Sequence, residues 1–370
     1  MTDSDRLSGA FRNADRVRAC ARRIARVAKD LPQSVRIMEV CGGHTFSIVR
    51  YGLDQLLPET IRFVHGPGCP VCVLPRHRID AAVALAGMPG CILVTLGDLL
   101  RVPGSQGSLQ QARAEGCDVR FVYSPLDTLK IARDNPDRVV VYFAIGFETT
   151  TPMTALLLEQ ACKLEVGNLF LHINHVLIPP AMRLILDGGG AVDAFIGPGH
   201  VSTVTGTGIY RPFAEHYRKP VVVAGFEPLD VLDAVLRIVE QLAAGRAAVE
   251  NRYARSVRAE GNRKAQTLVE NCFELRDTFN WRGIGPIAGS ALRLRESYAD
   301  FDAERRFAGY CPPPVEEQPA GCRCGEILMG RVGPEDCRLF ATACTPQHPQ
   351  GSCMVSNEGA CAAYYRYRRS

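Results

Sequence analysis

Six of the chain's fifteen cysteines stand in its last 49 residues, at Cys322, Cys324, Cys337, Cys344, Cys353 and Cys361. Thiolates gathered this densely are ligands for zinc or iron, and six are enough for a four-ligand site plus a spare pair. The spare pair points to thiol redox work, with a four-cysteine zinc site as the plainer alternative. A further thiol sits in Cys41-Gly42-Gly43-His44-Thr45, directly after the apolar run RIMEV. Two glycines there let the backbone approach a bound group, and His44 can share a proton with Cys41 or stabilise its thiolate. The structural alternative is a buried free cysteine on a tight turn. Cys69 and Cys72 form a C-x-x-C in GPGCPVC, a spacing that permits a disulfide and fits a redox dithiol. Polar residues gather again at Glu148 to Thr151 in GFETTTP, at His172, Asn174 and His175 in LHINHV, and at His200 in GPGHVSTVTG. They suit proton relay or orientation of a small polar ligand, while Thr149 or Thr150 before Pro152 equally suits a helix N-cap.

These residues must be positioned by an α/β framework. Apolar residues at Val17, Ala21, Ile24 and Ala28 predict a helix over 15–31. Short β-rich runs follow, VRIMEV, IRFVHG, CILVTLGD and VRFVYS, and then a second series, RVVVYFAIG, NLFLHINHV, DAFIGPG and KPVVVAG. The series echo each other: GPGCPVC is matched by GPGHVST, and GFE recurs at 146–148 and 225–227. We therefore expect two similar Rossmann-like parallel-sheet domains facing a cleft, over 1–125 and 126–240, with Thr151 to Lys163 as a helix of the second. From Pro228 the pattern turns helical. A mainly helical and irregular cysteine-rich domain is expected over 241–370.

With 370 residues, 46% hydrophobic, 22% charged and a formal charge of +4, the chain has an ordinary globular composition, and nothing in it calls for nucleic acid. The start MTDSDRLSGAFRNADRVRAC lacks an apolar core, and no stretch approaches the roughly 20 apolar residues of a membrane helix. A cytoplasmic protein without membrane contact is expected. In a reducing compartment the cysteines are not a disulfide framework.

The strings CGGHT, GPGCPVC, GFETTTP, INHVLIPPAM, GPGHVSTVTG, CRCGEILMG, DCRLF and ACTPQHPQGSCMVSNEGAC resemble the HypD family of hydrogenase maturation proteins, over Val35 to Cys361. The resemblance implies an assembly scaffold for [NiFe]-hydrogenase iron, with redox activity, rather than a metabolic enzyme. It implies HypC as a partner, HypE as a transient one in a HypC-HypD-HypE complex, and an Fe(CN)2CO unit whose cyanide comes from a HypE thiocyanate. By the same resemblance Cys41 holds the iron with His44 in support, and Cys322, Cys337, Cys344 and Cys361 hold a [4Fe-4S] cluster. Cys324 and Cys353 match a thiol pair that passes electrons to Cys69 and Cys72. The chain departs from the family pattern at Phe46, where a histidine is expected. Cys20, Cys91, Cys117, Cys162, Cys272 and Cys311 match no motif and read as core or surface thiols. A stand-alone iron-sulfur thiol-disulfide oxidoreductase is the alternative, and CGGHT argues against it: a reductase has no need of a third thiol beside a histidine.

Overall fold

A computed structural model describes residues 9–313 and 320–368; the first eight residues of the N-terminal segment and 314–319 of the expected third domain lie outside it. The eight β-rich runs form parallel strands, β1 (Val35–Glu39), β2 (Ile61–His65), β3 (Cys91–Leu96), β4 (Val119–Val122), β5 (Val139–Gly146), β6 (Leu169–His175), β7 (Ala194–Pro198) and β8 (Val221–Ala224), and a parallel strand outside those runs, β9 (Val249–Asn251), joins them. They build two sheets, a first in the order β2-β1-β7-β8-β9 and a second in the order β4-β3-β5-β6. The α/β class is as expected.

The division of the chain is not. The first sheet takes two strands from the start of the chain and three from beyond residue 190, while the second sheet is wholly inserted between β2 and β7. Boundaries at 125 and 240 therefore separate neither sheet, because β7 returns to pair with β1 across the whole insertion, Ile37 opposite Ala194. The motif echo is regrouped in the same way. GPGCPVC follows β2 and GPGHVST follows β7, so both lie on the first sheet, on either side of Cys41. What does repeat is strand order. In each sheet the first strand is central, the second lies on one side and the rest on the other, so both have a topological switch point beside their first strand.

Strand residues alternate between two cores, as the pleat requires. In β1, Ile37 packs outward and Met38 inward; in β3, Val94 packs outward and Leu93 inward; in β5, Tyr142 packs outward and Phe143 inward. The inward residues of both sheets share one core with Cys353, Met354 and Val355 of the tail. Outside the first sheet lie the helices Ala14–Val27 and Pro228–Ala243, the former burying Val17, Ala21 and Ile24 as its stripe predicts. That helix gives way to a 3-10 turn over Ala28–Asp30 rather than running to 31. The helix Thr151–Lys163 forms as expected.

Helix Pro228–Ala243 and β9 belong to the first sheet's domain, so the last region begins later than 241. It holds the helix Arg263–Cys272, two short antiparallel strand pairs and the cysteine tail with helices Cys324–Leu328 and Ala360–Tyr367. Among the described residues no helix is long and apolar enough to cross a membrane.

Candidate functional site

Cys41 lies at the first sheet's switch point, in extended backbone (φ −150°, ψ 123°) just before the helix Gly42–Arg50. Its N–H donates to Glu39 Oε2 at 3.0 Å, and the Gly42 N–H donates to the Gly68 carbonyl at 3.0 Å. A Cβ on Gly68 would collide with the backbone of Cys41, so the glycine of GPGCPVC is what lets the two turns touch. A Cβ on Gly42 would collide with Glu358, which brings the tail against the same turn. Burial raises the Cys41 thiol well above its usual pKa, and the Glu358 carboxylate adds to this. Glu39 is fully buried and also accepts from the Thr45 hydroxyl and pairs with His65 Nδ1 at 2.8 Å; His65 Nε2 meets the Tyr364 hydroxyl at 2.9 Å.

The imidazole at the thiol is His200, not His44. His200, at the start of the helix after β7, places Nδ1 3.7 Å and Nε2 3.8 Å from Cys41 Sγ. His44 Nε2 bonds to the Gly225 carbonyl at 2.9 Å, its ring stacks on Phe226 at 4.8 Å, and its buried Nδ1 has no partner. Burial lowers both imidazoles to about 4, so each is neutral at pH 7. The departure at Phe46 falls outside this cluster, with its ring edge-on to Tyr367 at 5.5 Å. Neither threonine caps the helix Thr151–Lys163: Thr150 is helical (φ −94°, ψ −25°) without a side-chain cap, and Thr151 Oγ1 donates to Phe147 O at 3.0 Å. His172 and Asn174 belong to a buried network around Arg78 and Glu304, away from Cys41.

A second set of thiols is continuous. Cys69 precedes the four-residue helix Pro70–Val73 and its sulfur accepts from the Cys72 N–H at 3.3 Å. From there Cys69 meets Cys72, Cys72 meets Cys353, Cys353 meets Cys324 and Cys324 meets Cys322, each pair within side-chain hydrogen-bonding reach. Ser352 clamps the junction, its hydroxyl donating to Cys72 O at 2.7 Å. All six tail cysteines line one cavity, closed by Ile327, Leu339, Phe340 and Met354. Gly351 passes along it where a Cβ would stand 2.8 Å from Cys322 Sγ. All these cysteines are free thiols. Among the described residues no group of three or more His, Cys, Asp and Glu side chains is arranged to hold a metal ion.

The sequence profile of HypD, described as the hydrogenase formation hypA family, matches residues 15–368. The chain belongs to the HypD family. It is 54% identical over 366 residues to "Hydrogenase maturation factor HypD" of Azotobacter vinelandii, covering 97% of this chain and 96% of that protein. Against the proteins of the same name from Rhizobium leguminosarum bv. viciae and Escherichia coli K12 the identities are 55% over 367 residues and 50% over 336, covering 97% and 90% of this chain and 94% and 90% of theirs.

Two residues of this HypD-family site, Glu39 and Arg282, carry little or no signal in the sequence, and the partner of a third, His200, is not readable from it. Glu39 reads as one polar residue ending an apolar strand, and that position inside RIMEV was the available signal. His200 was noted, but its pairing with Cys41 depends on a contact 159 residues long. Arg282, buried beside the tail thiols, carries no signal in the sequence.

Proposed function

We propose that this HypD-family chain acts in hydrogenase maturation as the scaffold on which, with HypC, an iron receives its cyanide and carbonyl ligands. Cys41 holds the iron, a HypC cysteine gives a second sulfur, and HypE delivers cyanide as a thiocyanate. The observation that carries this reading is the unbroken run of thiols from Cys322 to Cys69, whose neighbour Gly68 lies on Cys41. A thiol held protonated by burial must lose its proton to bind metal, and the neighbour that would support the resulting thiolate is the His200 imidazole 3.7 Å away.

Transfer of cyanide from R–S–C≡N consumes two electrons. The S–C bond breaks, cyanide passes to iron, and the sulfur leaves as thiolate. Cys69 and Cys72 close a disulfide, supply the two electrons and release two protons, one of which the leaving thiolate takes. Cys353, in contact with Cys72 and with Cys324, can reduce that disulfide by exchange, closing its own disulfide with Cys324. What supports a [4Fe-4S] cluster in the tail cavity is its donor set of six thiols and its apolar walls of Ile327, Leu339, Phe340 and Met354. Cys322, Cys337, Cys344 and Cys361 would hold it. Such a cluster supplies single electrons when bound.

Infrared spectra of the complex with the small partner test the scaffold reading. Cys41→Ala should fold and keep labile sulfide, yet show no metal-bound cyanide or carbonyl bands; full bands would move the iron to Cys69 or Cys72. Cys337→Ala should lose iron and sulfide, whereas Cys324→Ala should keep both and lose maturation. A colourless Cys324→Ala protein refutes this division of the six thiols.

A further inference from the structure

Arg282 is only 7% exposed, in the turn between the strands Thr278–Trp281 and Gly285–Ala288. Its guanidinium meets one neutral acceptor, the Pro103 carbonyl, at 3.3 Å from both Nη1 and Nη2. The next residue packs against the tail, because a Cβ on Gly325, beside Cys324, would collide with the Gly283 carbonyl. Burial opposes charge on Arg282, and the groups within its field are Cys324, Arg76, Cys322 and Cys353. Arg76, at the start of the helix Arg76–Ala86, is itself short of partners: its Nε is buried and unbonded. Among the described residues neither arginine pairs with a carboxylate.

The buried charge of Arg282, with the partly buried Arg76 adding a like charge to its field and no anion paired to either among the described residues, is a costly arrangement in the thiol state. A negative centre in the thiol cavity removes the cost. Four thiolates around an iron-sulfur core leave such a centre net negative, and guanidinium is the cation best suited to neighbouring it. We propose that Arg76 and Arg282 are the built-in counter-charge of the tail's thiol centre, favouring its loaded state and setting its reduction potential. The inference rests on the reading of the tail as a cluster site. Both arginines act through the thiols and are positioning residues.

The test compares the full chain, metal-free and after anaerobic loading with iron and sulfide. Arg282→Met should raise the melting temperature of the metal-free protein or leave it unchanged, because an uncompensated buried charge is removed. The same substitution should weaken iron and sulfide retention about 10- to 100-fold, the usual effect of altering a metal site's outer partners. The midpoint potential of the loaded protein should become more negative, since a cation that favours the reduced form is gone. Arg282→Lys, which keeps the charge, should lie between, and Arg76→Met should repeat the pattern more weakly. A metal-free Arg282→Met protein that melts well below wild type, or a loaded one with wild-type retention and potential, overturns the inference. Wild-type protein that takes up no labile sulfide overturns the cluster reading instead, and the metal-free melting comparison then decides whether Arg282 is an uncompensated charge.

Discussion

The two sheets repeat one strand order, and the crevice which that order opens is used in opposite ways. At the first sheet's switch point, between β1 and β7, stand Cys41 and His200, with Phe226 from the end of β8 behind them. At the second, between β3 and β5, the corresponding turns carry Gly97, Asp98 and Glu148. There the tail is anchored: Asp98 Oδ2 accepts from the Ser356 hydroxyl at 3.0 Å, and Arg101 Nη2 donates to the Val355 carbonyl at 3.1 Å. The tail touches both crevices, but the first gathers a thiol and an imidazole at its strand ends while the second offers the tail hydrogen-bonding anchors. Strand order thus locates two candidate sites, and the residues at the strand ends distinguish them.

Glycines give the strongest way to break this comparison. Gly68→Ala should cost about 3 kcal/mol or more in chemical unfolding, because the new Cβ meets the immobile backbone of Cys41. Gly97→Ala in the second crevice meets only the Phe121 ring at 3.9 Å, and should stay within about 0.5 kcal/mol of wild type. Equal losses would show that the first crevice is no more tightly built than its copy.

The carboxylates sharpen it. Glu39 is satisfied by Cys41, Thr45 and His65, whereas Glu148 accepts from the Ile178 N–H at 3.0 Å through Oε1 and, among the described residues, leaves buried Oε2 without a partner. Burial pushes Glu148 from 4.5 up to about 7. The native state therefore binds this proton more tightly than the unfolded chain does. Its contribution is fully present below about pH 4.5 and is lost as pH rises through 7, by up to about 3 kcal/mol. Glu148→Gln should lose much less stability than wild type between pH 5 and pH 8. Parallel pH profiles for the two proteins would show that Glu148 is charged in the fold.

The smallest effect is expected at position 46. Phe46→His should leave iron loading unchanged and stability within about 1 kcal/mol, because the ring faces Tyr367 rather than Cys41. Stronger loading in that variant would extend the first crevice to this helix face.

Local patterns were legible in the sequence wherever they are set by neighbours in the chain. The strands, the helix Thr151–Lys163 and the positions of CGGHT and GPGCPVC after strands follow from apolar runs and turn residues. The assignment of strands to sheets was not legible, since β7 chooses β1 over the nearer β6 through side-chain packing that no local window contains. The site divided along the same line. Cys41 could be found from its own turn, but His200 and Arg282 become partners of thiols only through long-range folding. His44 was misplaced because proximity in sequence suggested a contact that helix geometry directs toward Gly225.

The insertion of one sheet inside the other also sets a timetable. Cys41 leaves the ribosome 159 residues ahead of the histidine that will stand beside it. At bacterial or eukaryotic elongation speeds that is roughly 10 to 30 s. For most of that interval the nascent chain carries a thiol whose strand has β2 for company but lacks β7, and the crevice closes only after the entire second sheet has been synthesised. Glu358 and the tail thiols emerge later still, so the surroundings of Cys41 are completed by the last part of the protein to be made.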